Sequence, residues 1–189
     1  MRLQHSLAVA AALLRTANAV FADDAWDLDY HVALLGVPQE TTTFFHQPFA
    51  ASKASLIYTL SDKGILGAVH PKDGSLVWRQ PLNPATNTTP SFLRAGANQD
   101  IVISAVGADL AAWNAVDGRQ LWSRQLGGAP VKDLEILELQ DTRQGDKSKD
   151  AVVLTGREHP VVQRIDGRTG KTLWEFRDER YITSLCFSS

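Results

Sequence analysis

One cysteine, Cys186, stands in 189 residues, so no disulfide can form within the chain and cysteine usage says nothing firm about redox compartment. Charge of one sign is also scarce. With 19 basic and 21 acidic residues the formal net charge is −2, which gives no reason to expect nucleic acid or an anionic membrane surface as a partner. No apolar run reaches the length that spans a bilayer. The five histidines (His5, His31, His46, His70 and His159) are scattered, with no pair at metal-ligand spacing. A nucleophile elbow, a phosphate-binding glycine loop and an HExxH pair are all missing. The expectation is therefore no catalytic, cofactor-binding or metal-binding residues. The charged run Gln140 to Asp150 (QDTRQGDKSKD) reads as a solvated hairpin loop. What remains, 44% hydrophobic and 21% charged, is the composition of a soluble globular protein.

The N-terminus has the order of a secretory signal. Arg2 supplies a positive charge, Leu7 to Leu14 (LAVAAALL) are apolar, and Ala17-Asn18-Ala19 is a small-x-small cleavage site. Val20-Phe21-Ala22 offers a second site, so residues 1–22 are expected to be a signal peptide cut after Ala19 or Ala22. Either cut removes Arg2 and Arg15 and leaves 17 basic against 21 acidic residues. Asn87-Thr88-Thr89, between Pro84 and Pro90, is a glycosylation sequon in a turn-rich stretch, and behind a signal it makes Asn87 a glycosylation site.

Three segments align without gaps through their central parts: Ile65 to Leu82, Leu110 to Gly127 and Val161 to Asp178. Each holds a turn glycine (Gly74, Gly118, Gly170) followed four residues later by tryptophan (Trp78, Trp122, Trp174). The tryptophans are 44 and 52 residues apart, close to the 40–50 residues of a four-stranded propeller blade. The turns before them are hairpin turns in which glycine takes a positive φ. Upstream of each pair lie β-rich runs at Ser55 to Leu60, Asp100 to Ser104 and Ala151 to Leu154. Before those come inner strands at Thr42 to Phe49, Pro90 to Leu93 and Val131 to Leu139.

The fold class expected is all-β: a partial β-propeller of three four-stranded blades over residues 23–189, preferred to a sandwich or barrel because the unit recurs three times. Asp27 to Gly36, preceded by Trp26, reads as an outer strand that closes the ring. Tyr181 to Phe187 reads as the inner strand of a fourth blade. Propellers close with roughly four to eight blades, so the chain is expected to be the N-terminal part of a longer protein or a truncated gene product. The recurring tryptophans are expected to pack between blades. Trp113, outside the repeat pattern, is expected to be an exposed contact residue.

The Gly-x-x-x-Trp unit resembles the blade of the PQQ-like (quinoprotein alcohol dehydrogenase-like) propellers. The dehydrogenases of that group use a vicinal cysteine pair and calcium-binding carboxylates, and this chain has a single cysteine. A narrower resemblance rests on Ala33-Leu34-Leu35-Gly36, Thr43-Phe44-Phe45-His46-Gln47-Pro48, Ser52-Lys53-Ala54-Ser55-Leu56, Leu66-Gly67-Ala68-Val69, Lys72-Asp73-Gly74 and Val77-Trp78-Arg79. These resemble the N-terminus of fungal subunit 1 of the ER membrane protein complex. The resemblance implies a non-enzymatic scaffold on the lumenal side of the endoplasmic reticulum membrane. Its partners would be the other subunits of that complex and client membrane proteins, without nucleic acid and without a transmembrane segment in this chain. The alternatives are a PQQ-dependent oxidoreductase-like propeller and a lumenal sensor of unfolded protein.

Overall fold

A computed structural model of the chain describes residues 35–48, 55–82, 89–96, 99–127, 129–138, 149–156 and 159–177. The proposed signal peptide, Trp26 with most of the closing strand, Asn87, most of the Gln140 to Asp150 loop, Cys186 and the Tyr181 to Phe187 strand lie outside the described residues.

Twelve strands form three four-stranded sheets. Blade 1 consists of β1 (Pro38–His46), β2 (Leu56–Ser61), β3 (Ile65–Val69) and β4 (Leu76–Pro81). Blade 2 consists of β5 (Ser91–Ala95), β6 (Ile101–Val106), β7 (Asp109–Asn114) and β8 (Gln120–Gln125). Blade 3 consists of β9 (Val131–Leu137), β10 (Asp150–Thr155), β11 (Val161–Ile165) and β12 (Thr172–Arg177). Within each blade neighbouring strands are antiparallel and lie in sequence order. No helix occurs among the described residues.

The inner strand β1 begins four residues before Thr42, where the sequence reading starts it. Its register with β2 slips between Pro38 and Thr43. The threonine hydroxyls hold that irregular stretch: Thr42 donates to the Leu60 carbonyl at 2.8 Å, and Thr43 donates to the Gln39 carbonyl at 2.7 Å. Proline at the strand start costs no ladder hydrogen bond.

Two apolar clusters join the blades. Leu56, Tyr58, Leu60, Leu66 and Trp78 of blade 1 meet Leu93, Val102, Val106 and Trp113 of blade 2. Ile101, Ile103, Ala105 and Leu110 of blade 2 meet Val131, Leu134, Ala151, Val153 and Ile165 of blade 3. Strand β6 feeds both clusters, because alternate residues of a strand point to opposite faces. All six of its residues are buried, which is why its sequence is a continuous small or apolar run, IVISAV. Each fully buried leucine or isoleucine contributes roughly 1.5–3 kcal/mol, so these clusters carry most of the stability.

Candidate functional site: the contact between a tryptophan and the next blade's turn

The β3–β4, β7–β8 and β11–β12 hairpins share one turn design. His70, Asn114 and Asp166 open them. In each, the carbonyl of this first residue accepts the glycine N–H four residues on, at 2.8–2.9 Å. Its own N–H donates to the carbonyl five residues on, again at 2.8–2.9 Å. The first side chain also caps the turn. Asn114 Oδ1 accepts from Val116 N and Asp166 Oδ1 from Arg168 N, both at 2.8 Å, and His70 Nδ1 accepts from Lys72 N at 3.3 Å. The residue before the glycine caps the exit, as Asp73 Oδ1 accepts from Ser75 N at 3.0 Å and Asp117 Oδ1 from Arg119 N at 2.9 Å. Short polar side chains compete well for backbone groups in turns. The hydrogen bonds from Ser75 hold the Asp73 carboxyl below the ordinary aspartate range, with a smaller contribution from His70.

The sequence displayed the glycine and tryptophan of this design but not what they touch. Gly118 lies on the indole of Trp78, the tryptophan of the preceding blade, and a Cβ there would come within 2.5 Å of that ring. Gly170 lies on Trp122, where a Cβ would come within 2.7 Å. Both glycines have φ near +70°. The indole N–H groups then find the turn backbone: Trp78 Nε1 donates to the Ala115 carbonyl at 2.9 Å, and Trp122 Nε1 to the Gly167 carbonyl at 2.8 Å. The residue two places after each tryptophan adds a bond to the glycine carbonyl. Gln80 Nε2 donates to Gly118 O at 3.0 Å, and Arg124 donates to Gly170 O at 2.7 Å. Across the ladder from Trp78 and Trp122 stand Ala68 and Ala112, small enough to admit the neighbouring turn.

Blade 3 differs. Arg164 occupies the alanine position across from Trp174, and its guanidinium pairs with Asp150, the Nε–Oδ2 distance being 2.9 Å. Trp174 is 44% exposed and Phe176, two residues on, is 63% exposed. Trp174 was read from the sequence as an inter-blade residue, and no blade follows it among the described residues. Gly74 has the same positive φ as its counterparts.

The exposed contact expected of Trp113 is corrected by the structure. Trp113 is 5% exposed, lies in the cluster between blades 1 and 2, and donates its indole N–H to Ser104 Oγ at 2.8 Å. It follows Ala112, which faces blade 3, so strand alternation turns Trp113 towards blade 1. Tyr58 was also missed. Its hydroxyl donates to the Ala115 carbonyl at 2.8 Å, so one carbonyl of blade 2 receives both Tyr58 and Trp78. Burial pushes the Tyr58 phenol well above the ordinary tyrosine range, and the charge of Asp100 adds to it.

Chemistry-bearing groups are used structurally. His46 is buried and donates Nε2–H to the Gln99 carbonyl at 2.7 Å, bridging blade 1 to the connection between β5 and β6 of blade 2. Among the described residues no three His, Cys, Asp or Glu side chains converge on a metal-sized site. No helix among the described residues is long and apolar enough to cross a membrane.

Antiparallel four-stranded blades stacked face to face, with Trp78 and Trp122 each seated on the next blade's turn, define a partial β-propeller. The chain belongs to the family of the EMC1 N-terminal beta-propeller domain, whose pattern it matches over residues 19–187. No curated protein matches it significantly. Among solved structures it is similar to U3-55K, at 8% identity over 76% of this chain and 44% of that one, with a TM-score of 0.51. It is also similar to the computationally designed Ika8 protein, at 14% identity over 72% of this chain and 36% of that one, with a TM-score of 0.50. Similarity to BamB from Moraxella catarrhalis runs at 18% identity over 76% and 36% of the two chains, with a TM-score of 0.44. At these identities the likeness to U3-55K and Ika8 speaks for the fold alone. The chain spans less than half the length of each of the three.

Proposed function

We propose that the chain is the propeller portion of a non-enzymatic scaffold subunit of the ER membrane protein complex, on the lumenal side, supporting insertion and folding of tail-anchored and multipass membrane proteins. The family match over residues 19–187 carries this reading. Two features agree with it: the signal-like order of residues 1–22, and blades whose repeated tryptophan contacts join them to one another. Residues 23–189 form the propeller segment on this reading, and Asn87 carries a glycan.

Affinity purification of the tagged full-length protein from ER membranes is expected to recover the other subunits of the complex; their absence rejects the proposal. Within the same material, the N-terminus should begin at Val20 or Asp23. Deglycosylation should shift the wild type and leave Asn87→Gln unmoved. Pyrroloquinoline quinone added to the purified protein should leave no bound chromophore.

A further inference from the structure

We propose that the outer rim of blades 2 and 3, around Leu121 and Leu173, docks an acidic segment of another protein that also carries aliphatic side chains. Strands β8 and β12 are edge strands of their sheets, at the opposite end from the inner strands β5 and β9. Each carries one bulge, and both bulges fall at the same position of the repeat. Ala112 pairs with Trp122 and Trp113 with Gln120, so Leu121 is skipped. Arg164 pairs with Trp174 and Ile165 with Thr172, so Leu173 is skipped. Strand β4 of blade 1 does likewise at Val77, between Leu76 and Trp78.

The fold accounts for the bulge but not for the side chain on it. Plain alternation along β8 would set Gln120 and Trp122 on one face. The extra residue breaks that parity: Trp122 pairs with Ala112, which faces blade 3, and Gln120 pairs with Trp113, which faces blade 1. The tryptophan thereby meets the next blade's turn. An extra backbone unit re-aims a strand in this way whatever side chain it bears. The bulged residue is nonetheless aliphatic in all three blades, and Val77, Leu121 and Leu173 are 44%, 38% and 51% exposed.

The bulges of blades 2 and 3 are tied together across the seam. Arg124, three residues beyond Leu121, donates to the Gly170 carbonyl at 2.7 Å and to Thr172 Oγ1 at 3.0 Å, and Thr172 directly precedes Leu173. Two residues before each leucine stands an exposed cation, Arg119 or Lys171. The nearby carboxylates are engaged within the chain. Asp117 Oδ1 accepts from Arg119 N at 2.9 Å, Asp166 Oδ1 accepts from Arg168 N at 2.8 Å, and Glu175 is held by Gln163 and Arg177. What the rim offers a partner is a cation followed by an aliphatic side chain, once per blade. Carboxylates and aliphatic side chains alternating on one segment complement it. A lipid surface fits less well, because the leucines are half covered and the chain's net charge is −2. The rim belongs to the blades themselves, whichever assembly they join.

The probe is the fluorescein-labelled peptide Glu-Leu-Glu-Leu-Glu-Leu-Glu-Leu, titrated into the 189-residue protein and followed by anisotropy, with ¹³C-methyl spectra locating the site. Saturable binding is expected, with shifts at the Leu121 and Leu173 methyls. The double variants Leu121→Ser with Leu173→Ser, and Arg119→Glu with Lys171→Glu, should each bind at least about tenfold more weakly. A Lys-Leu peptide of the same length should not bind, and that control stands even if a variant fails to fold. Absence of saturable binding overturns the proposal. Equal binding of the Lys-Leu peptide, undiminished binding by either folded variant, or methyl shifts confined to other residues overturns it too. Capture by phosphatidylserine-containing vesicles without binding of the peptide would make the rim a lipid-facing surface and reject the proposal as well.

Discussion

At the scale of single residues, the turn glycine has two separate reasons to be glycine. One is φ near +70°, which L side chains resist; the other is the indole lying where a Cβ would go. Gly127 separates them, since its φ is +52° and nothing lies within 4 Å of its Cβ position. Gly118→Ala is therefore expected to cost roughly 2–4 kcal/mol, strain plus overpacking, against about 1 kcal/mol for Gly127→Ala. Urea unfolding midpoints measure both, and equal losses would remove the clash from the account. Trp113 and Trp174 make a second pair. Buried Trp113→Ala should cost about 3–5 kcal/mol, whereas half-exposed Trp174→Ala should stay within about 1 kcal/mol by the same measurement. The glycines and tryptophans were legible in the sequence because each repeats at fixed spacing. Trp113 was misread because pattern-breaking was taken as exposure, when its parity beside Ala112 already pointed it at blade 1.

At the scale of elements, the contact between blades is a small hydrogen-bonded device set in an apolar interface. A buried indole N–H left without an acceptor costs about 1–3 kcal/mol, so the turn carbonyls of Ala115 and Gly167 are as much part of the interface as the side chains. Tyr58 adds a pH dependence. Its folded pKa is raised, so its contribution is fully present below the ordinary tyrosine value of about 10 and is lost as pH rises from there towards the folded value. Wild-type stability should thus fall with alkalinity beyond about pH 10 more steeply than that of Tyr58→Phe. At neutral pH that variant should be the less stable of the two by about 1 kcal/mol, for the hydrogen bond lost to Ala115. Thermal melts from pH 8 to 11 compare the slopes; parallel slopes would mean that Tyr58 ionises in the folded state as freely as in the unfolded. The strands were legible from period-two patterning and turn glycines. The caps at His70, Asn114 and Asp166 were not, because three different side chains do the same work and no single letter repeats.

At the scale of the whole molecule, burial runs from the middle blade outwards. Strand β6 is buried on both faces, while every residue of β12 is exposed. Amide hydrogen exchange should follow that gradient, slowest in Ile101 to Val106 and fastest in Thr172 to Arg177. Equal protection of the two strands would show that the blades open only together. Sequence by itself determined the blade: turn chemistry, strand alternation and the four-residue step from glycine to tryptophan are local, set within a single hairpin. Only the tertiary structure decided what the repeated letters are for. The partners of Trp78 and Trp122 lie on turns about 40 and 48 residues further along the chain, and the alanines opposite them, Ala68 and Ala112, leave room for those turns. The middle Gly-x-x-x-Trp hairpin holds neither half of its own contact: Gly118 receives Trp78 of the blade before it, and Trp122 lies on Gly170 of the blade after it.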